Sequence, residues 1–326
     1  MKSRMKRILA VLAKLITTMV VIWLIAGQVS IDGLAIVLDR ISWSYVVLAV
    51  SVFFLGQLIS AYRFKVIACR ISSEITMWPS INAHFLGLLF NQVLPSGVGG
   101  DVLKAAYLKS RLGFWTAIRV AIYDRASGLL VLLTTGIALT SQYDTHFSDS
   151  PIMGVIVLIG LTSLLVIAMT AIVLSWGRAL RFLSGLSETL GIVLNDLNII
   201  VRGPSFAEQL FLSGIIHAVG ISTYWLLGIS VGLDLTMMEY LLIVPLIFLV
   251  SLLPISFAGW GVRELSAITL FAHSGVLAED ALAVSIMFGL VFICVSLPGV
   301  PIFLRSGAIT TSSKEELSES GEINVK

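Results

Sequence analysis

Leu94-Pro95-Ser96-Gly97-Val98-Gly99-Gly100-Asp101-Val102-Leu103-Lys104 is the stretch on which the fold turns. It holds a proline, three glycines, an acid and a base, inside a very apolar chain. An apolar helix from His84 to Val93 runs into Pro95, and a second short helix can start near Gly99 and continue past Lys104. In hydrocarbon an unpaired backbone amide costs several kcal/mol, so broken backbone survives only against protein or a water-filled cavity. Such a break points to a binding site. The pattern recurs at Leu253-Pro254-Ile255-Ser256-Phe257-Ala258-Gly259-Trp260-Gly261-Val262-Arg263-Glu264. Both copies read as Leu-Pro, then glycines, then charge at the start of a helix.

The surroundings fix the class. The chain is 57% hydrophobic and 12% charged, about half the charge of an ordinary soluble domain. With a mean hydropathy of +1.00 and long apolar runs, this is a polytopic membrane protein. A net charge of +2 decides nothing, because placement matters more than the sum. No basic stripe, zinc spacing or RNA-binding signature points to nucleic acid. Cys69 and Cys294 fall in apolar segments and read as packing residues, with no disulfide between them. Met1–Arg7 is basic and precedes an apolar run, but no small-residue cleavage site follows, so a retained first helix is expected.

In chain order the sequence predicts an all-α protein with about six full spans: Ile8–Ala26, Trp43–Ala61, Phe114–Thr140, Ile152–Trp176, Phe206–Val231 and Val276–Leu304. Gln28–Ser42 reads as a polar loop, and Tyr62 through Arg70 as a basic loop. Two broken hairpins, about 75–112 and 237–272, complete a membrane domain over 1–305. An amphipathic helix over about 178–203 is expected to lie on the surface. Residues 306–326, rich in Ser, Thr and Glu, read as a disordered cytoplasmic tail.

Lys and Arg set the orientation. Lys2, Arg4, Lys6 and Arg7 place the N-terminus in the cytoplasm, and alternation puts Arg63, Lys65, Arg70, Arg178, Arg181, Arg202, Arg305 and Lys314 on the same side. The opposite loops hold only Arg40. The first broken hairpin then enters from the cytoplasm and the second from the outer face, an inverted relation common in transporters. Each broken pair could instead be two short full spans, which charge parity does not exclude. Length favours re-entrant hairpins: Asp101–Leu112 and Gly261–Ala272 are too short for a core of about 30 Å at about 1.5 Å per residue.

The charges follow. Lys109 and Arg111 are explained by snorkelling at a helix end. Asp124 and Arg125 lie about ten residues into their helix, roughly 15 Å deep, where an unpaired ion is expensive. Adjacent residues point about 100° apart on a helix, so each needs its own partner. Lys104 is the candidate for Asp124, and Asp101 or Glu264 for Arg125. Asp101 and Glu264 fall in first helical turns, where an acid caps free N–H groups. A buried structural ion-pair network is one reading of this set; a ligand site is the other. In the second, two half-helix N-termini flanked by Lys104, Arg125 and Arg263 would hold a phosphate group. Gly99, Gly100, Gly259 and Gly261 would allow close backbone approach. Asn91, Ser96 and Ser256 would add neutral hydrogen bonds, the whole fitting an amphiphile with an anionic head. His84, His146, His217 and His273 show no metal spacing. There is no Walker sequence, no Gly-x-Gly-x-x-Gly and no nucleophile elbow, so neither cofactor, metal nor catalytic residue is expected.

Phe90 through Lys104, Asp124-Arg125-Ala126-Ser127-Gly128-Leu129 and Leu253 through Glu264, in this order and spacing, resemble the lysylphosphatidylglycerol synthase transmembrane-region family of flippase-like membrane proteins. Arg63 fits the arginine that ends an early span in that family, and the likeness covers roughly Ile8 to Leu304. The resemblance implies movement of lipids between leaflets of a bacterial or archaeal inner membrane. It extends to anionic or aminoacylated phospholipids and related polyprenyl or isoprenoid lipids. The soluble aminoacyl-transferase domain of the synthases is not found after Leu304, so only the transport half carries over. Alternatives are an intramembrane transferase acting on a lipid carrier, and a scaffold for a partner lipid synthase; a homo-oligomer is compatible with each.

Overall fold

The computed structural model describes residues 16–72, 75–94, 99–138, 188–202, 205–252, 256 and 258–306. The expected span Ile152–Trp176, the tail 307–326, the first residues of the chain and Ser96 lie outside them. Every element among the described residues is helical. They are α1 (Ile16–Ala26), α2 (Ile31–Asp39), α3 (Trp43–Ile71), α4 (Met77–Val93), α5 (Gly99–Leu112), α6 (Phe114–Ala138), α7 (Glu188–Arg202), α8 (Ser205–Ser230), α9 (Met237–Ser251), α10 (Val262–Phe271), α11 (Ala278–Ser296) and α12 (Gly299–Ser306). A single 3-10 turn, Ala272–Ser274, joins α10 to the loop before α11.

Among the described residues, three stretches are long and apolar enough to cross a membrane: α3, α8 and the run Ala278–Ser306. Helix α6 has the length, about 37 Å at the usual rise, but carries Arg119, Asp124 and Arg125. The protein is therefore an all-helical membrane protein with several apolar spans.

Two stretches read as loops are helices. Tyr62–Arg70 continues α3 without a break to Ile71. Phe64, Ile67 and Ala68 recur at helical spacing and are buried, so the apolar face persists beneath the basic residues and the helix persists with it. Residues 31–39 form α2, started by Ser30, whose hydroxyl accepts from Gly33 N, and bent 83° from α1. The surface helix expected over 178–203 is described as α7 from Glu188.

The first broken segment folds back on itself. Gly100 meets Gly87 and Asn91, Lys104 lies against Gly87, and Asn82 Nδ2 donates to Tyr107 Oη at 3.2 Å. Pairing at rising positions on α5 with falling positions on α4 makes an antiparallel helical hairpin. The close approach needs glycine at 100, since a β-carbon there would stand 2.6 Å from Asn91 Oδ1. The second segment repeats the arrangement. Gly259 sits beside the Ser251 carbonyl, and the rings of Tyr240 and Phe271 are 5.7 Å apart. Its turn uses Ala258, Gly259 and Gly261, all at positive φ.

Helices α3 and α8 form the antiparallel centre. Ser42 N donates to Ser230 O at one end, Gly56 receives Val219 in the middle, and Tyr62 Oη donates to Glu208 at the other. The main core gathers on this pair with α9, α10 and α11, around Tyr224, Tyr240, Phe271 and Phe288. A smaller core, including Phe64, Ile67, Leu108, Val120 and Ile200, joins α3, α5, α6 and α7. Cys69 and Cys294 are free thiols, and Cys294 is exposed on α11, not packed.

Candidate functional site

The first charged cluster forms where α3, α4, α5, α6 and α8 converge. Arg63 Nε donates to Asp124 Oδ1 at 2.9 Å, and both side chains are only 7% exposed. Arg63 Nη1 donates to Ser213 Oγ at 2.8 Å. The guanidinium also borders Gly128, where a β-carbon would stand 3.2 Å from Nη1. Asp124 therefore takes Arg63 as its partner, and Lys104, the candidate from sequence, bonds elsewhere. Lys104 Nζ lies 3.5 Å from Asp101 Oδ1 and 5.3 Å from the centre of the Phe64 ring. Asp101 also pairs with Arg125, one of the two partners expected for it. The sequence signal for Arg63 was obscured because the residue sits in a basic run, although the uninterrupted apolar face of α3 reveals its depth.

Around these ions the remaining groups serve the backbone or one another. Asn91 Oδ1 accepts from Gly100 N at 3.0 Å, so this side chain caps the start of α5, where Gly99 lies. His84 is buried, and its Nε2 lies 3.0 Å from Gln57 Oε1. His217 Nε2 lies 2.8 Å from Gly128 O. Sequence reasoning read His84 and His217 as packing or interface residues, not ligands, which these contacts fit, and gave no role to Gln57 or Ser213. A buried polar side chain on an otherwise apolar helix was the available signal for them.

The second cluster forms at the start of α10. Glu264 Oε2 accepts from Gly261 N at 2.6 Å, closing the helix N-terminus as expected. Its Oε1 accepts from Arg263 Nη2 at 2.5 Å and from Arg263 Nε at 3.0 Å, and Ser285 Oγ donates to it at 3.4 Å. The guanidinium carbon lies 4.7 Å from the Trp260 ring centre and 5.9 Å from that of Phe288. Ser256 is buried nearby in sequence. Gly259 and Gly261 supply the positive φ values of the turn.

The two clusters stand at different levels. On α8 the first is met by Ser213, and the second neighbours Phe288, which stacks on Tyr224 at 4.3 Å. Eleven residues separate Ser213 from Tyr224, roughly 16 Å along the axis. On α6, Arg125 pairs into the first cluster. Gly136, again eleven residues on, lies beside Leu249 near the end of α9, which leads into the second. The single pocket envisaged between both helix starts is thus divided. Arg263 and Glu264 neutralise each other, whereas Arg63, Lys104 and Arg125 share Asp101 and Asp124. Among the described residues, the first cluster carries one positive charge in excess.

A third ion pair lies apart from both. Arg119 Nε is 2.9 Å from Asp196 Oδ2 and ties α7 to α6, where Tyr123 Oη also donates to Asp196 at 3.3 Å. Burial raises the Asp196 carboxyl above the usual carboxylate range, against the opposing pull of Arg119 and the Tyr123 hydroxyl. Among the described residues, no group of His, Cys, Asp and Glu side chains is arranged to hold a metal ion.

Fold and site together define a polytopic helical membrane protein that keeps ionised side chains in the interior of its spans. Residues 11–299 match the family model of the lysylphosphatidylglycerol synthase TM region, and the chain belongs to that family. No curated protein matches the chain.

Proposed function

We propose that the protein is a lipid translocator, carrying a lipid with an anionic or aminoacylated headgroup between the leaflets of the cytoplasmic membrane. Family membership supports a membrane-lipid role. The observation that carries the reading is the Arg63–Lys104–Arg125 cluster, in which the Arg63 and Lys104 side chains are 7% and 8% exposed and Arg125 reaches outward at 43%. Cations kept at depth are costly and belong where a charged substrate passes. A phosphate would neutralise the cluster, with Arg125 and Lys104 leaving their shared carboxylate Asp101 to hold it and glycine-lined backbone at 99–100 allowing close approach.

The hairpins supply the moving parts in this reading. Helix α5 spans about 21 Å and α10 about 15 Å, each shorter than a hydrocarbon core of about 30 Å. As re-entrant hairpins entering from opposite faces, they would rock about the α3–α8 centre. The Arg263–Glu264 cluster would form the opposite end of the route. We assign no covalent chemistry to the protein.

Native mass spectrometry tests the binding step. Protein extracted in mild detergent and offered an equimolar mixture of anionic and zwitterionic lipids should retain the anionic one. Arg125→Ala with Lys104→Ala should lose that preference. Equal retention of both lipids by the wild-type protein would remove the headgroup assignment.

A further inference from the structure

Helix α8 carries a line of polar side chains that the translocation reading leaves unused. Ser205, Gln209, Ser213 and His217 recur every fourth residue and therefore share one face. That face turns into the protein: Ser205, Gln209 and Ser213 are 2%, 1% and 0% exposed. Apolar packing would be the cheaper use of a buried stripe, since a buried polar group without a partner costs about 1–3 kcal/mol. Two of these groups find no partner among the described residues: Ser205 Oγ and Gln209 Nε2 are buried and make no hydrogen bond there. The stripe begins at the end of α8 that adjoins α7, and it ends at the buried ion pair. Ser213 Oγ receives Arg63 Nη1 at 2.8 Å, and the other edge of that guanidinium holds Asp124. Buried polar atoms left over by the protein are ordinarily satisfied by internal water.

We infer that this stripe is a hydrated half-channel through which protons from the face where α8 begins reach Asp124. The inference rests on the translocator reading for its purpose, and on the stripe alone for its existence. A hydronium ion at that face passes its proton along the water to the Asp124 carboxylate, which becomes a neutral carboxyl. The headgroup anion takes the place of that carboxylate beside Arg63, so the guanidinium keeps a counter-charge throughout. When the headgroup leaves on the opposite face, Asp124 releases the proton to the water at that face and the Arg63–Asp124 pair closes again. Charge balances at each stage, one proton for one headgroup anion. The groups bearing on Asp124 are Arg63 from α3, His84 from α4 and Lys104 from α5. Ser213 and His217 from α8 reach it through Arg63 and Gly128, and Arg125 is its neighbour on α6. All but the serine are titratable or charged, so protonation of Asp124 is felt throughout the cluster.

Water access is tested without any transport. In a Cys69→Ser/Cys294→Ser background, Ser205→Cys, Gln209→Cys and Phe211→Cys are placed singly in sealed proteoliposomes. A membrane-impermeant thiol reagent is then applied to one face at a time. Phe211 is 69% exposed on the outside of the helix and serves as the lipid-facing control. Gln209→Cys should react at least ten-fold faster than Phe211→Cys, and only from the face where α8 begins. Equal rates would overturn the half-channel. Ser213→Cys, isosteric with serine, gives the same reading if Gln209→Cys does not fold.

Coupling is tested by leaflet exchange of a fluorescent anionic lipid, with and without an imposed pH gradient, alongside an entrapped pH dye. The gradient should accelerate exchange several-fold in the wild-type protein. Gln209→Leu should abolish that acceleration. Exchange indifferent to the gradient overturns the proton inference and leaves the translocator standing. No exchange under any condition removes the translocator, while the labelling result still decides whether the half-channel exists.

Discussion

Removing the Asp124 carboxylate should be among the most damaging single changes this protein can suffer. The carboxylate lies 2.9 Å from Arg63 Nε, a separation worth about 6 kcal/mol of attraction at an effective dielectric of about 20. Both side chains are 7% exposed, so solvent cannot replace the lost partner. Asp124→Ala strands a buried guanidinium, and breaking a buried pair in this way costs about 3–5 kcal/mol. Replacing both ions by apolar residues of similar size, Arg63→Met with Asp124→Leu, leaves no orphaned charge and should be close to neutral. The assay is reversible unfolding in mixed micelles, titrated with a denaturing detergent, for the wild type, both single variants and the pair. The expected pattern is two costly single changes and a double change that recovers most of the loss. A cost for Asp124→Ala below about 1 kcal/mol would mean that water reaches Arg63 freely, the behaviour of a surface pair. The description of a buried pair would then be wrong.

Other expectations use the same readout. Glu264→Ala removes both the cap on Gly261 N and the partner of buried Arg263. It should cost about 3–5 kcal/mol, whereas Glu264→Gln should keep the cap and lose less. Gly100→Ala drives a β-carbon into Gly87 O and Asn91 and should cost about 1–3 kcal/mol through overpacking. Ala258→Gly relieves a positive φ of 51° and should stabilise the second hairpin by up to about 1 kcal/mol. Asp196 has a folded-state affinity for protons above its unfolded one. Its contribution to stability is therefore present at low pH and lost as pH rises through the folded-state value. Asp196→Asn should remove that part of the pH dependence, which is read by following the release of α7 from α6 across mildly acidic buffers.

Much of the architecture was legible because membrane solvent makes strict demands. A Pro-Gly break in an apolar run has few acceptable explanations, and the helices flanking the two breaks, α4 with α5 and α9 with α10, pack as antiparallel hairpins. Counting residues from Phe114 placed Asp124 in the middle of α6, where it is buried, whereas Arg125, one residue on, turns outward with a side chain 43% exposed. What could not be read was register between helices. The partner of Asp124 depends on how α3 slides against α6, and nothing local in either segment sets that slide. The same limit hid the separation of the two clusters, which depends on the level at which each hairpin meets α8. Local charge also misled. The run Tyr62–Arg70 suggested a loop, although Phe64, Ile67 and Ala68 kept a buried helical face beneath it. The stripe on α8 went unnoticed because serine and glutamine in a span are quiet signals beside arginine and aspartate.

The most direct test of the account is leaflet exchange by the purified protein in liposomes. It would follow a fluorescent anionic lipid and its zwitterionic analogue, with wild type and Lys104→Ala/Arg125→Ala side by side. The account expects the wild-type protein to accelerate exchange of the anionic lipid, and the folded double variant to lose at least ten-fold of that rate. A folded double variant exchanging the anionic lipid at the wild-type rate would contradict it.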